Sequence, residues 1–221
     1  MLIIGHRGAA GHLPENTLPG FRKALELGAN GLELDVRITA DAKLVVVHAS
    51  VVNGHAVQSS PYADIKRLSD GYEVPLLEEV LAEFGRRTYL DIELKSPGFE
   101  ESAISLIEKH CEWSQTVLSS FQAQTLVKAR QIAPDLPLGF IYNRTQDEET
   151  RHNCPVDVLL PQFRLASREL IAQAHSESLK VFAWTVNDRQ EASRLMDFGV
   201  DGLISDYPEM IAELVKGRKK H

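Results

Sequence analysis

The hexapeptide LDIELK at 90–95 places three charged residues, Asp91, Glu93 and Lys95, at alternate positions among apolar ones. A strand turns every second side chain the same way, so the three charges share one face and Leu90, Ile92 and Leu94 share the other. The stretch GLELDVR at 31–37 repeats the arrangement with Glu33 and Asp35. Glu33, Asp35 and Glu93, converging in a partly desolvated site, would repel one another and hold their protons to higher pH. A divalent cation relieves that repulsion. An all-oxygen set suits a hard ion, Mg2+ or Ca2+ with Mn2+ as a substitute, better than Zn2+. Lys95 and Arg7 carry more positive charge than three carboxylates and one ion require, which points to an anionic ligand such as a phosphate. His6 and His48 add two side chains that titrate near neutral pH, as a general acid and a general base must.

Each of these residues has a plainer reading when taken alone. A single strand histidine is most often a core or surface residue, Lys95 suits a snorkelling surface position, and Trp184 in FAWTVND suits a barrel core. Their common placement on strand ends decides between the two readings.

Those ends belong to a regular series. Strand-like runs at 2–7, 31–37, 89–95, 116–121, 137–142, 157–162, 180–186 and 201–205 alternate with amphipathic helical segments. Pro19 suits the first turn of a helix carrying Phe21, Ala24 and Leu25, with Gly28 at its C′ position. Leu76, Leu77, Val80, Leu81 and Phe84 form a second stripe stopped by Gly85. Further helices are expected over 100–111, 122–132, 167–178, 188–198 and 208–217, with Asp188 as an N-cap and Pro208 as a first residue. The polar segment 145–153 predicts a short helix or none. This alternation predicts an α/β chain folded as a (β/α)8 TIM barrel, one domain over 1–221. A doubly wound open sheet is the alternative, but GHRGAAG at 5–11 lacks the G-x-G-x-x-G spacing of a dinucleotide site. KLVVVH at 43–48 follows strand 2 too closely for a parallel crossover, which needs a dozen or more residues. It must turn back as an extra β-hairpin strand after strand 2, returning His48 to the mouth where chemistry in such barrels sits.

Bulk properties narrow the partners. With 24 basic and 31 acidic residues the formal charge is −7, which argues against a nucleic-acid partner. Apolar runs fall far short of the roughly 20 residues of a membrane span, and MLIIGHRGAA reaches His6 and Arg7 too soon for a secretory signal. A cytoplasmic protein with no stable membrane association is expected, and nothing in the pattern sets an oligomeric state. Cys111 and Cys154 are too few and too far apart for a disulfide framework or zinc site.

HRG at 6–8, PENT at 14–17, ELDV at 33–36, VVVH at 45–48, IELK at 92–95, WTVN at 184–187 and GVDGLISDYP at 199–208 together resemble the glycerophosphodiester phosphodiesterase family, in its short bacterial form. The resemblance implies a metal-dependent barrel hydrolase that converts a small-molecule glycerophosphodiester to glycerol 3-phosphate and an alcohol. It makes Glu33, Asp35 and Glu93 metal ligands, His6 and His48 the acid/base pair, and Arg7 and Lys95 phosphate contacts. Trp184 becomes an apolar wall beside the glycerol, Glu15 and Asn16 supporting residues, and Asp206 a brace of the rim. The chain departs from the family at Ala49, where an Asp is usual, and in a shorter insertion after the hairpin that carries His55. Two alternatives stand beside this reading: lysophospholipase D or phospholipase D-like cleavage of lysolipids, an activity whose enzymes this site also resembles, and a catalytically silent barrel that binds a phosphate ester, which the two departures support.

Overall fold

The structure is a computed structural model and describes residues 1–145 and 154–218. In chain order its strands and helices are β1 (Leu2–Gly5), α1 (Leu18–Glu26), β2 (Gly31–Ile38), β3 (Leu44–Val46), β4 (Val51–Val52), β5 (His55–Ala56), α2 (Tyr62–Ile65) and α3 (Leu77–Phe84). There follow β6 (Tyr89–Leu94), α4 (Glu100–His110), β7 (Thr116–Ser120), α5 (Ala123–Ile132), β8 (Leu138–Tyr142), β9 (Val158–Pro161) and α6 (Arg168–Ser176). The described chain ends with β10 (Lys180–Ala183), α7 (Arg189–Phe198), β11 (Gly202–Ser205) and α8 (Pro208–Arg218).

One nine-stranded sheet runs β1-β11-β10-β9-β8-β7-β6-β2-β3, and β1 also pairs with β2. The eight strands of this sheet other than β3 therefore close a parallel ring, the expected TIM barrel, while β4 and β5 pair with each other apart from it. β3 hangs outside it, antiparallel to β2 with Val36 opposite Val46. Loop length alone demanded that reversal, and it carries His48 back to the mouth.

The strand faces explain where the charges go. Leu32, Leu34, Val36, Leu90, Ile92 and Leu94 point outward and pack under the helices with Phe21, Leu77, Leu81 and Ile104. Each such side chain contributes about 1.5–3 kcal/mol by leaving water. That outward commitment forces Glu33, Asp35, Asp91 and Glu93 into the ring. Below them a separate apolar plug of Ile4, Val117, Ile141, Val158, Leu160, Phe182 and Ile204 fills the barrel.

Helix ends follow local chemistry. Thr17 caps α1 by accepting from the Gly20 N–H at 3.2 Å, Pro19 sits in the first turn, and Gly28 takes the left-handed φ of 98°. Asp188 caps α7 by accepting from the Gln190 and Glu191 N–H groups. Gly85 differs from expectation: it is right-handed (φ −58°), so it is no left-handed stop. Its reason is space, because a Cβ there would lie 2.6 Å from the His110 and Leu81 carbonyl oxygens. Both cysteines are buried, and burial pushes each thiol up to about 11, which keeps them inert. Residues 146–153, and with them the question of a helix at 145–153, lie outside the described part of the chain.

Candidate active site

The site stands on the C-terminal ends of β1, β2, β6 and the β3 hairpin. Parallel register sets Glu33 beside Asp91 and Asp35 beside Glu93. Carboxylate oxygens of Glu33, Asp35 and Glu93 fall within 4.8 Å of one another, all three residues being buried. Burial pushes Glu33 well up from the ordinary carboxylate range, helped by the negative charges of Asp35, Asp91 and Glu93. Glu93 is pushed up to about 7 by burial and by Asp35. Asp35 goes the other way: although burial opposes ionisation, a hydrogen bond from His48 and the charges of Lys95 and Arg7 hold it below its usual value. Three acids so arranged, with no neutral ligand between them, have the donor set of a hard divalent cation.

Two cations enclose the cluster. Lys95 Nζ lies 2.7 Å from Glu93 Oε1 and 3.2 Å from Asp35 Oδ1. Arg7 Nε lies 3.1 Å from Asp35 Oδ2, while its Nη1 donates to Glu15 Oε2 at 2.7 Å and its backbone N–H to Glu33 Oε2 at 2.8 Å. That last bond needs the backbone turned, and Arg7 holds a left-handed φ of 51°. Asn16, also left-handed at 58°, ties the loop down. Its backbone N–H donates to the Arg7 carbonyl, its Nδ2 donates to Asp35 Oδ2 at 2.8 Å, and its Oδ1 accepts from the Asp35 N–H. Two non-glycine residues in a disfavoured region, both bonded to the acidic cluster, mark strain stored where function sits. Gly8 (φ 89°) lets this loop run against α1, since a Cβ would come within 2.7 Å of the Gly20 backbone.

The histidines are each anchored through Nδ1. His6 Nδ1 donates to Asp206 Oδ1 at 2.6 Å, and His48 Nδ1 donates to Asp35 Oδ1 at 3.2 Å. A carboxylate only accepts, so each ring donates from Nδ1, and Nε2 is the nitrogen left for proton transfer. Asp206 is itself held by Asn187, whose Nδ2 donates to Asp206 Oδ2 at 2.5 Å. The His6 bond keeps Asp206 ionised to lower pH than usual despite partial burial.

These groups surround one cavity of about 280 Å3. His6, Arg7, Glu33, Glu93 and Lys95 line one side with His48. Trp184 and Phe121 complete the wall, edge to face with ring centres 5.5 Å apart and with Lys95 Nζ 5.7 Å from the centre of the Phe121 ring, over a floor of Ile141, Leu160 and Ile204. The Trp184 indole is fixed by donation to the Leu160 carbonyl at 2.7 Å.

Sequence comparison places this geometry among known proteins. The profile of the glycerophosphoryl diester phosphodiesterase family matches residues 6–210. The chain belongs to that family. Its similarity to a glycerophosphodiester phosphodiesterase of Caldanaerobacter subterraneus subsp. tengcongensis is 34% identity, covering 97% of this chain and 98% of the relative. A glycerophosphodiester phosphodiesterase of Bacillus subtilis is 31% identical over 98% of this chain and 87% of its own. Among solved structures, an Oleispira antarctica phosphodiesterase in complex with the product sn-glycerol-3-phosphate superposes with a TM-score of 0.85 at 26% identity, over 96% of both chains. Membership makes the chain an enzyme, a phosphoric diester hydrolase. No helix among the described residues is long and apolar enough to cross a membrane.

All ten residues expected from the sequence lie at or beside this cavity: His6, Arg7, Glu33, His48, Glu93, Lys95 and Trp184 line it, Asp35 touches Arg7 and Lys95, and Glu15 and Asn16 line the pocket next to it that shares His48. His55 is exposed on β5 and lines no part of the cavity. Three residues escaped the sequence reading. Phe121 follows β7 directly, a rim position that could have flagged it. Arg37 continues the Glu33–Asp35 row by two residues and donates from Nε and Nη2 to the His48 carbonyl at 3.0 and 2.8 Å. Asp91 was visible on the charged face but had no assigned task.

Proposed function

We propose that this chain is a divalent-cation-dependent enzyme that hydrolyses glycerophosphodiesters to sn-glycerol 3-phosphate and an alcohol, with His6 and His48 as its acid/base pair. The observation that carries the reading is the presence, in one cavity, of two Nδ1-anchored imidazoles and a cluster of three buried carboxylates. Glu33, Asp35 and Glu93 would hold the cation. The raised values of Glu33 and Glu93 fit that role, because a bound dication removes the repulsion that protons otherwise relieve. Bound there, Mg2+, Ca2+ or Mn2+ supplies Lewis-acid neutralisation of the phosphate's non-bridging oxygens.

The chain's own groups do the rest. Lys95 and Arg7 hold the phosphate and screen the charge that develops on it. One imidazole Nε2 takes a proton from the nucleophile, either water or a neighbouring substrate hydroxyl. The other ring, entering the step protonated on both nitrogens, delivers its Nε2 proton to the leaving alcohol oxygen. Asp206 and Asp35 keep both rings in the required tautomer. Glu15 holds Arg7 and Asn16 holds Asp35, and Trp184 with Phe121 shields the cavity from water.

A substrate panel tests this. Purified protein, stripped with EDTA, is assayed on glycerophosphocholine, glycerophosphoethanolamine and lysophosphatidylcholine, with and without each of the three cations. Release of sn-glycerol 3-phosphate that requires added cation supports the reading. Preference for the lysolipid moves the chain to a lysophospholipase D. Binding of glycerophosphocholine by calorimetry without product under every cation makes it a silent barrel.

A further inference from the structure

Of the charged face of LDIELK, Asp91 alone has no part in the chemistry proposed above. It is 0% exposed, and its Oδ1 accepts from the Ser119 hydroxyl at 2.5 Å. Its Oδ2 has no hydrogen-bond partner among the described residues, yet the side chain lines the cavity. Asp91 is not one of the three acids whose oxygens converge within 4.8 Å. The cavity floor around it is apolar, Ile141, Leu160 and Ile204, and offers no donor. Buried acceptors in native proteins are paired, so an orphan on a residue that lines a ligand cavity points to a donor that arrives with the ligand.

The charges identify that donor. Lys95 and Arg7 lie at the mouth, where they draw the phosphate, while Asp91 stands a register step below Glu93 and would repel phosphate oxygens. The end of the substrate directed towards the floor is therefore not the phosphate, and it must bring a hydrogen-bond donor, which a choline group lacks. We propose that Asp91 is a specificity-determining residue whose free carboxylate oxygen accepts a hydrogen bond from a hydroxyl of the substrate's glyceryl group. An alkyl group in the same place would leave the oxygen buried and unpaired, and a site built to bond a hydroxyl discriminates strongly against ligands that lack it. Ser119 fixes the carboxylate plane so that Oδ2, not Oδ1, meets the ligand.

This inference rests on the chain being a glycerophosphodiester hydrolase, and a cycle between residue and substrate separates the two claims. Cation-saturated wild type, Asp91→Leu and Asp91→Asn are compared on sn-glycero-3-phosphocholine and on its two monodeoxy analogues, the phosphocholine esters of propane-1,2-diol and propane-1,3-diol. Asp91→Leu should lose roughly 10–100-fold in kcat/KM on the full substrate, the cost of leaving one such bond unmade. One deoxy analogue should lower the wild type by a similar factor, and on that analogue the substitution should be silent. Should the leucine variant fail to fold, Asp91→Asn keeps the shape and carries the same comparison, its smaller loss vanishing on the same analogue. Equal losses on all three substrates, no loss on the full one, or a drop in cation affinity measured by calorimetry on Asp91→Asn would overturn the assignment. Inactivity of the wild type on every glycerophosphodiester removes the parent reading and this one with it.

Discussion

At the scale of single residues, what the site controls is the placement of protons. His6 lies 2.6 Å from Asp206, and Asn187 anchors that carboxylate in turn. Replacing His6 or His48 by Ala should cut kcat by about 10²–10⁴-fold, the usual yield of general acid–base catalysis. Retention of near-full turnover by either variant, measured as phosphate-ester release under saturating substrate, would remove that histidine from the mechanism. Asp206→Asn keeps the shape but offers an amide that can donate as well as accept, so the His6 tautomer is no longer fixed. A loss of roughly 10–100-fold, about the worth of a hydrogen bond to a charged group, is expected in kcat with KM little changed. A change confined to KM would mean that Asp206 serves substrate binding instead. The histidines and the three converging acids were legible in the sequence because each sits at alternate spacing on a strand or at its end. The partner of His6 was not, since Asp206 lies 200 residues away and only closure of β1 on β11 brings them together.

At the scale of elements, β2 does more than display two acids. Glu33, Asp35 and Arg37 occupy one face, and the last two grip His48 from both ends, Asp35 at the ring and Arg37 at the main-chain carbonyl. The hairpin could be deduced, because too few residues separate β2 from β3 for any other path. Arg37's role could not, because its acceptor is a backbone carbonyl and alternation of side chains carries no record of it. The small elements after the hairpin, β4, β5 and α2, were likewise invisible: two- to four-residue units have no period to read. Arg37 has lost water to burial, which lowers its pKa, and it spends two donors on one carbonyl. If that bond positions His48, Arg37→Gln should lower kcat by roughly tenfold in the wild type and by nothing further in His48→Ala. The two should be independent in His6→Ala. Additive losses in both backgrounds, read from kcat on an activated aryl phosphodiester, would show a general effect on the fold.

At the scale of the whole molecule, the buried acids make stability depend on pH and on the cation together. Asp91 and Glu93 are each raised to about 7, first by burial, with the charges of Glu93 and Asp35 adding to it at Asp91 and that of Asp35 at Glu93. Between the ordinary carboxylate range and about pH 7, the cation-free native state therefore holds protons that the unfolded chain has released. Stability from these two groups is present at the acid side of that window and is lost as pH rises through about 7. Asp35 and Asp206, held low, act in the opposite sense, losing their contribution only as pH falls below the usual carboxylate range. With EDTA present, the thermal midpoint should thus fall between pH 5 and pH 8, and fall less in Glu93→Gln, which cannot ionise. Added Mg2+ or Ca2+ should reverse the loss at pH 8, because a ligand at 100 times its Kd adds about 2.7 kcal/mol to the native state. For a chain of this size that is a rise of roughly 5–10 °C. The same addition should do little at pH 5, where protons already occupy the acids and compete with the ion. A chelated midpoint that is flat across the window, or a cation response equal at both pH values, would show that the three carboxylates do not act as one coupled centre.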